Sequence, residues 1–256
     1  MDMTSHYINF SMDKQLENDL FASYPKGLTW QKSIATFHPE SAEETTDVFC
    51  RAAACDQKLF ISGFGNNINP EGKSYAHSLV VKSDRLNCVH DINPGDFYIT
   101  VGAGYPLKEI NHILKKDNLY FPFSDTNYPG SCGGALASGL TAGNGSHTVP
   151  LHRFLLSVMA VLPDGTIVRP GAVTFKSVSG YDIARLFFNS WGTLGMVVRL
   201  SFRLFPVSHR AQTPRLILIG SDRSAFAAAM TGDSPLAQVS RAIKKEFDPQ
   251  NILPLV

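Results

Sequence analysis

Two glycine-rich runs constrain this chain more than any other feature. The first is Ser62-Gly63-Phe64-Gly65-Asn66-Asn67, and it follows the short apolar stretch Leu59-Phe60-Ile61, which reads as a buried strand. The second is Pro129-Gly130-Ser131-Cys132-Gly133-Gly134-Ala135-Leu136-Ala137-Ser138-Gly139, continuing to Gly143-Asn144-Gly145. Small residues leave backbone N–H groups uncovered, and consecutive N–H donors make an anion-binding nest. Gly133-Gly134-Ala135 also reads as a helix start, where the backbone dipole adds partial positive charge. Neither run contains Lys or Arg, so an anion held there would be held by backbone. Either run alone is as well explained by tight turns in a sheet protein. Two runs in one chain, each at an element boundary, favour a site.

Composition narrows the partners. Lys and Arg total 23 against 22 Asp and Glu, a net charge of +1, without a run of like charge. The basic stripe of a nucleic-acid-binding protein is missing. With 256 residues, 44% of them hydrophobic, the chain can bury a sizeable core in one large domain or two modest ones. No apolar stretch is long enough to span a bilayer. Met1 to Phe21 carries Asp13, Glu17 and Asp19 and has no apolar core, unlike a signal peptide. Cys50, Cys55, Cys88 and Cys132 lack zinc-site spacing and read as free thiols. A cytoplasmic protein is the expectation.

Along the chain, residues 1–27 are polar and patternless, an N-terminal arm. Ser41 and Glu44 form a capping box that opens a helix reaching about Gln57. Leu79–Val81 and Tyr98–Val101 read as strands, and Pro106 starts a helix whose apolar stripe is Leu107, Ile110, Ile113 and Leu114. This alternation predicts a parallel βαβ unit. Later, Leu155–Leu162 and Thr166–Arg169 flank the hairpin signal Pro163-Asp164-Gly165. Tyr181–Asn189 reads as a short helix. Val198, Leu200, Phe202 and Leu204 alternate with Arg199, Ser201 and Arg203, the pattern of a half-buried antiparallel strand. Arg215–Ile219 is one more strand and Leu236–Phe247 a last helix.

Several familiar motifs fail. In a dinucleotide fingerprint beginning at Gly63, the third glycine would fall at Ile68, and Pro70 follows. Gly72-Lys73-Ser74 resembles the end of a phosphate loop, but Asn67 stands where its first glycine belongs. There is no Ser elbow and no H-E-x-x-H. His147 and His152, five apart, suit a surface better than a metal, and no metal is expected.

Residues 28–207 resemble the FAD-binding domain shared by vanillyl-alcohol oxidase, the peptidoglycan-synthesis reductase and the flavin subunits of bacterial glycolate oxidase. The resemblance rests on an ordered series. After the two glycine runs and Val101-Gly102-Ala103-Gly104 between them come Val161-Leu162-Pro163-Asp164-Gly165, Lys176-Ser177-Val178-Ser179-Gly180-Tyr181-Asp182 and Gly192-Thr193-Leu194-Gly195-Met196-Val197. The K-x-V-x-G-Y-D stretch is most similar to the smaller flavin subunit of glycolate oxidase, and Phe247-Asp248-Pro249-Gln250-Asn251-Ile252-Leu253 resembles the closing tail of the family.

The resemblance implies an α+β, two-subdomain FAD-binding PCMH-type fold with FAD stretched between the subdomains. It implies that Ser62, Gly63, Phe64, Gly65, Asn66 and Asn67 hold the pyrophosphate by backbone N–H, together with Pro129, Gly130, Ser131, Cys132, Gly133 and Gly134. Ala137, Ser138 and Gly139 would lie on the ribityl and flavin side, and Gly195 and Val197 would offer backbone to adenine. A simple sheet bulge competes for Gly192 and Gly195. Many relatives carry in the first loop a His that bonds covalently to the flavin; here Asn66 and Asn67 stand in that neighbourhood, so FAD is expected non-covalent. Cys132 reads as a packed thiol, with a flavin linkage the minor alternative.

Between Val207 and Phe247 only 39 residues stand where relatives place a cap that binds substrate. Residues 208–256 would then be a vestigial cap and tail, a strongly reduced substrate region. The surviving tail motif makes the loss look internal. The resemblance therefore implies an FAD-binding subunit of a flavin-dependent oxidoreductase complex acting on a 2-hydroxy acid or similar small molecule. A second flavin or iron–sulfur subunit would complete the substrate side, and peripheral membrane association would come only through that complex. Two other readings stay open: a structural subunit that has lost FAD, and a stand-alone small FAD oxidase.

Overall fold

The computed structural model describes residues 12–31, 34–66, 78–143, 147–173, 183–210, 216–219 and 223–254. Asn67, Gly72-Lys73-Ser74, Asn144, Gly145 and the Lys176–Asp182 stretch lie outside the described residues.

The N-terminal segment is more ordered than its composition suggests. Helix α1 spans Lys14–Ser23, and the side chain of Asp13 caps it by accepting from the Leu16 N–H. Leu16 and Leu20, one turn apart, are buried with Met12 against the first core. Tyr24 then packs edge-on against Phe37 at 5.4 Å, and its hydroxyl donates to Asp47. A single one-turn pair of leucines is enough to dock an otherwise polar helix.

Strands β1 (Leu28–Gln31), β2 (Ile34–Phe37), β3 (Lys58–Ser62) and β4 (Ser78–Lys82) form a sheet in the order β1-β2-β4-β3. β4 is parallel to both β2 and β3. Helix α2 (Ala42–Ala54) makes the crossover from β2 to β3 and buries Thr45, Val48, Phe49 and Ala52. The expected parallel unit is therefore present. The Ser41 hydroxyl accepts from the Glu44 N–H, as expected, but Glu44 reaches back to the N–H of Glu40, one residue before the cap.

The second lobe is antiparallel and built on β5 (Val89–Asn93) and β6 (Tyr98–Gly102). A loop region follows, holding α3 (Ile110–Leu114), β7 (Leu119–Tyr120), α4 (Cys132–Ala137), β8 (Thr141–Gly143) and β9 (Thr148–Pro150). The predicted 107–114 helix begins as a 3-10 turn at Leu107–Glu109 before α3. Strands β10 (Leu155–Val161), β11 (Ile167–Val168) and β12 (Met196–Arg203) complete a five-stranded sheet in the order β11-β10-β12-β6-β5. The short β13 (Phe205–Pro206) pairs with β7, and β14 (Ile217–Leu218) pairs with β8. Helices α5 (Arg223–Thr231) and α6 (Pro235–Phe247) close the chain. The Tyr181–Asn189 segment is a 3-10 turn over Ile183–Phe187.

The register of β12 corrects the simple alternation. Met159 pairs with Arg199 and Ala160 with Val197, so Val198 is an extra residue in the strand. Such a bulge flips the faces. Leu200, Phe202 and Leu204 face the larger core, whereas Val198 joins Met196 in the core of the first lobe. One strand thus contributes to both cores.

The tail is stitched to the first sheet. Asp248, buried, pairs with Lys244 and accepts from the N–H groups of Ile252 and Leu253. The Ile252 carbonyl in turn accepts from Leu59 N–H on β3. Both oxygens of the buried carboxylate are thus hydrogen-bonded, a condition under which such a pair is tolerated.

Candidate cofactor site

β3 ends at Ser62, where the chain leaves the sheet and becomes the first glycine loop. The second loop arrives from the opposite lobe through Tyr128–Ser131 and enters α4, capped by the Ser131 hydroxyl accepting from Gly134 N–H. The two loops touch. A Cβ on Gly63 would stand 2.8 Å from Ser131 Oγ and 3.5 Å from the Gly134 Cα, so only glycine allows the approach. Between them opens a cleft walled by residues of both loops.

Ser62, Gly63, Phe64, Gly65 and Asn66 line it from the first loop. Gly130, Ser131, Gly133, Gly134, Ala137 and Ser138 line it from the second, and Gly195 and Val197 from the approach to β12. Three expected residues stand elsewhere. Pro129 is not on the cleft wall, and Gly139 lines a neighbouring groove that meets the cleft at Ser138. Cys132 is fully buried in the larger core, and burial pushes its thiol well above the usual thiol range. A thiol held protonated and turned into the core is a packed residue.

The loops differ in what they offer. Among the described residues, no acceptor within the chain takes the N–H of Gly63, Phe64, Gly65 or Asn66. In the second loop the Cys132 N–H donates to the Tyr105 carbonyl, Gly133 N–H to Ala103 and Gly134 N–H to Ser131 Oγ. Of the donors expected from residues 130–134, three already have partners within the chain. The N–H groups of Cys132, Gly133 and Gly134 anchor the loop to the end of β6 or cap its own helix. Gly133 is small for packing: its Cβ would meet Ala103 Cβ at 2.7 Å, inside the lobe rather than in the cleft.

Sequence reasoning missed part of the wall. Tyr128, Ser83, Ser190, Trp191 and Arg223 also face the cleft. Burial raises the Tyr128 phenol, opposed in part by its hydrogen bond with Ser138, so the ring stays neutral. Asn189 and Trp191 have φ of 58° and 51°, left-handed conformations that cost a non-glycine residue about 1–3 kcal/mol. The turn is held by the α4 end, where the Leu136 and Ala137 carbonyls accept from the N–H groups of Asn189 and Trp191. Only the glycines beside Trp191 marked this turn in the sequence. Arg223 had no local signal, since it reaches the cleft from the start of α5, far along the chain from both glycine loops.

Residues 34–171 match the model of the family described as FAD binding domain. The chain belongs to the FAD binding domain family. It is 25% identical over 175 residues to a D-lactate dehydrogenase of Archaeoglobus fulgidus, covering 68% of this chain and 39% of that protein. It is 26% identical over 203 residues to the mitochondrial D-lactate dehydrogenase (cytochrome) of Arabidopsis thaliana, covering 74% of this chain and 35% of that one. The fold is shared with alkyldihydroxyacetonephosphate synthase, at a TM-score of 0.61 and 17% identity over 77% of this chain and 41% of that structure. The chain thus spans little more than a third of the length of these relatives.

The site fits the family's cofactor. A dinucleotide brings a diphosphate, which needs donors without bulk, and the first loop supplies backbone N–H groups beside a contact that any Cβ would fill. Among the described residues no group of three or more His, Cys, Asp or Glu could hold a metal. Among them, too, no helix is long and apolar enough to cross a membrane.

Proposed function

We propose that the chain binds FAD in the cleft between its two lobes and serves a flavin-dependent oxidoreductase acting on a 2-hydroxy acid or similar small molecule. The observation that supports this most is the meeting of the two glycine loops over one cleft, with no described residue accepting from the N–H groups of the first loop. Ser62 to Asn66 would hold the diphosphate. Gly130 and Ser131, with Gly134, would press against it from the second loop, Ala137 and Ser138 would face the flavin side, and Gly195 and Val197 the adenine. FAD, when bound, supplies the electron chemistry, and the protein supplies position and electrostatics. The substrate class follows the names of the two D-lactate dehydrogenase relatives.

The wall of the cleft argues for a second contributor. Among the described residues lining it there is no Asp, Glu or His, and Arg223 is the only formally charged side chain. Proton transfer from a hydroxy acid needs a positioned base, which those residues do not provide. In this reading the substrate side comes from a partner, a second flavin subunit or an iron–sulfur subunit. The test is reconstitution: flavin uptake by the purified chain, then 2-hydroxy acid oxidation alone and with proteins that co-purify with it. Turnover by the chain alone would reject the partner. A chain that takes up no flavin would favour a structural subunit.

A further inference from the structure

We infer that Arg223 is a phosphate-binding side chain of the cofactor site, a cation carried to the diphosphate by a helix outside the matched domain. This rests on the reading of the cleft as an FAD site. Arg223 opens α5, fifty-two residues beyond the last residue matched to the family. Its guanidinium nevertheless lies 5.0 Å from the ring centroid of Phe60 and 5.8 Å from that of Trp191. Phe60 lies on β3, two residues before the first glycine loop, and Trp191 is one of the two left-handed residues of the turn held by α4. All three line the same cleft as Gly63, Gly65 and Ser131.

The chemistry follows from that placement. A guanidinium over aromatic rings is held by cation–π attraction, and its planar fork of five N–H donors matches the geometry of phosphate oxygens. A diphosphate brings two negative charges into a cleft whose described wall holds one formal positive charge, and that charge is Arg223. Backbone donors of the first loop fix where the diphosphate sits, and Arg223 neutralises it. Trp191 in its left-handed turn holds the guanidinium in place, which gives the strain at this turn a use. The C-terminal helices, which pack on each other as α5 and α6, are thereby tied to the cofactor.

The test titrates the full chain with FAD and with riboflavin, which lacks phosphates, following flavin fluorescence at two salt concentrations. A hydrogen bond to a charged group is worth enough that Arg223→Met should weaken FAD about ten- to a hundredfold. Riboflavin affinity should stay the same, Arg223→Lys should recover part of the loss, and the salt dependence for FAD should flatten in Arg223→Met. FAD affinity unchanged in Arg223→Met, or riboflavin weakened by the same factor as FAD, would overturn the inference. If Arg223→Met does not fold, a wild-type FAD affinity indifferent to salt and equal to that of Arg223→Lys would overturn it. Wild-type protein that binds neither flavin would instead overturn the FAD reading beneath it.

Discussion

The two glycine loops look alike in sequence and do different work. In the first, none of the described residues accepts from the N–H groups of residues 63–66. In the second, the N–H groups of Cys132 and Gly133 are donated to the end of β6, and that of Gly134 to the capping hydroxyl of Ser131. One loop is a set of donors and the other a wall pressed against it. A glycine-rich run therefore signals close approach, and only the hydrogen-bond partners say whether the approach is to a ligand or to the protein's own backbone.

Substitution separates the two roles. The largest effect is expected at Gly63, where a Cβ would meet Ser131 Oγ at 2.8 Å. Gly63→Val should force the loops apart and lower FAD affinity by roughly a hundredfold or more, about 2.7 kcal/mol, as read by flavin retained after gel filtration. Gly133→Val is the counterpart. Its Cβ would strike Ala103 at 2.7 Å, inside the lobe, so it should cost about 1–3 kcal/mol of stability by overpacking. Thermal unfolding would show the loss, and the folded fraction should keep near wild-type FAD affinity. Gly133→Val protein that melts like wild type and has lost FAD would break the distinction.

A smaller effect sharpens the first-loop side. Asp84 lies next to Ser83 in the turn after β4 that walls the cleft, and it bonds His38 Nδ1 at 2.8 Å. Burial pushes its carboxyl up, but the His38 hydrogen bond and the charges of His38 and Lys82 outweigh it, and the net shift is downward. A carboxylate with a lowered folded pKa contributes stability above its ordinary value near 4 and loses it as pH falls through the folded value. The melting temperatures of wild type and Asp84→Asn should therefore differ at neutral pH and converge in acid below about pH 4. A gap that persists to acid would show that Asp84 acts only by packing.

Much of this was legible in the sequence. The strand leading into Ser62, the Ser41 cap of α2 and the hairpin at Pro163-Asp164-Gly165 each follow from local chemistry, and all three are present. The resemblance to FAD-binding proteins rested on the order of weak signals, and the family match over residues 34–171 agrees with it. Other features depend on distant partners. The Val198 bulge exists because β10 pairs out of step with β12, which no single strand reveals. Helix α1 docks on a core formed by α2 and β2. Gly133 shows its role only once Ala103 lies beneath it, and Arg223 reaches the cleft only through the packing of the last helices. Side chains that meet across the fold leave no spacing to read.

The central claim is that the cleft between the loops holds FAD. The most direct measurement is the visible absorption of the purified full chain after incubation with FAD and gel filtration. A flavin band eluting with the protein at about one FAD per chain, and lost in Gly63→Val, is the expected result. A colourless wild-type protein, folded by circular dichroism, would contradict it.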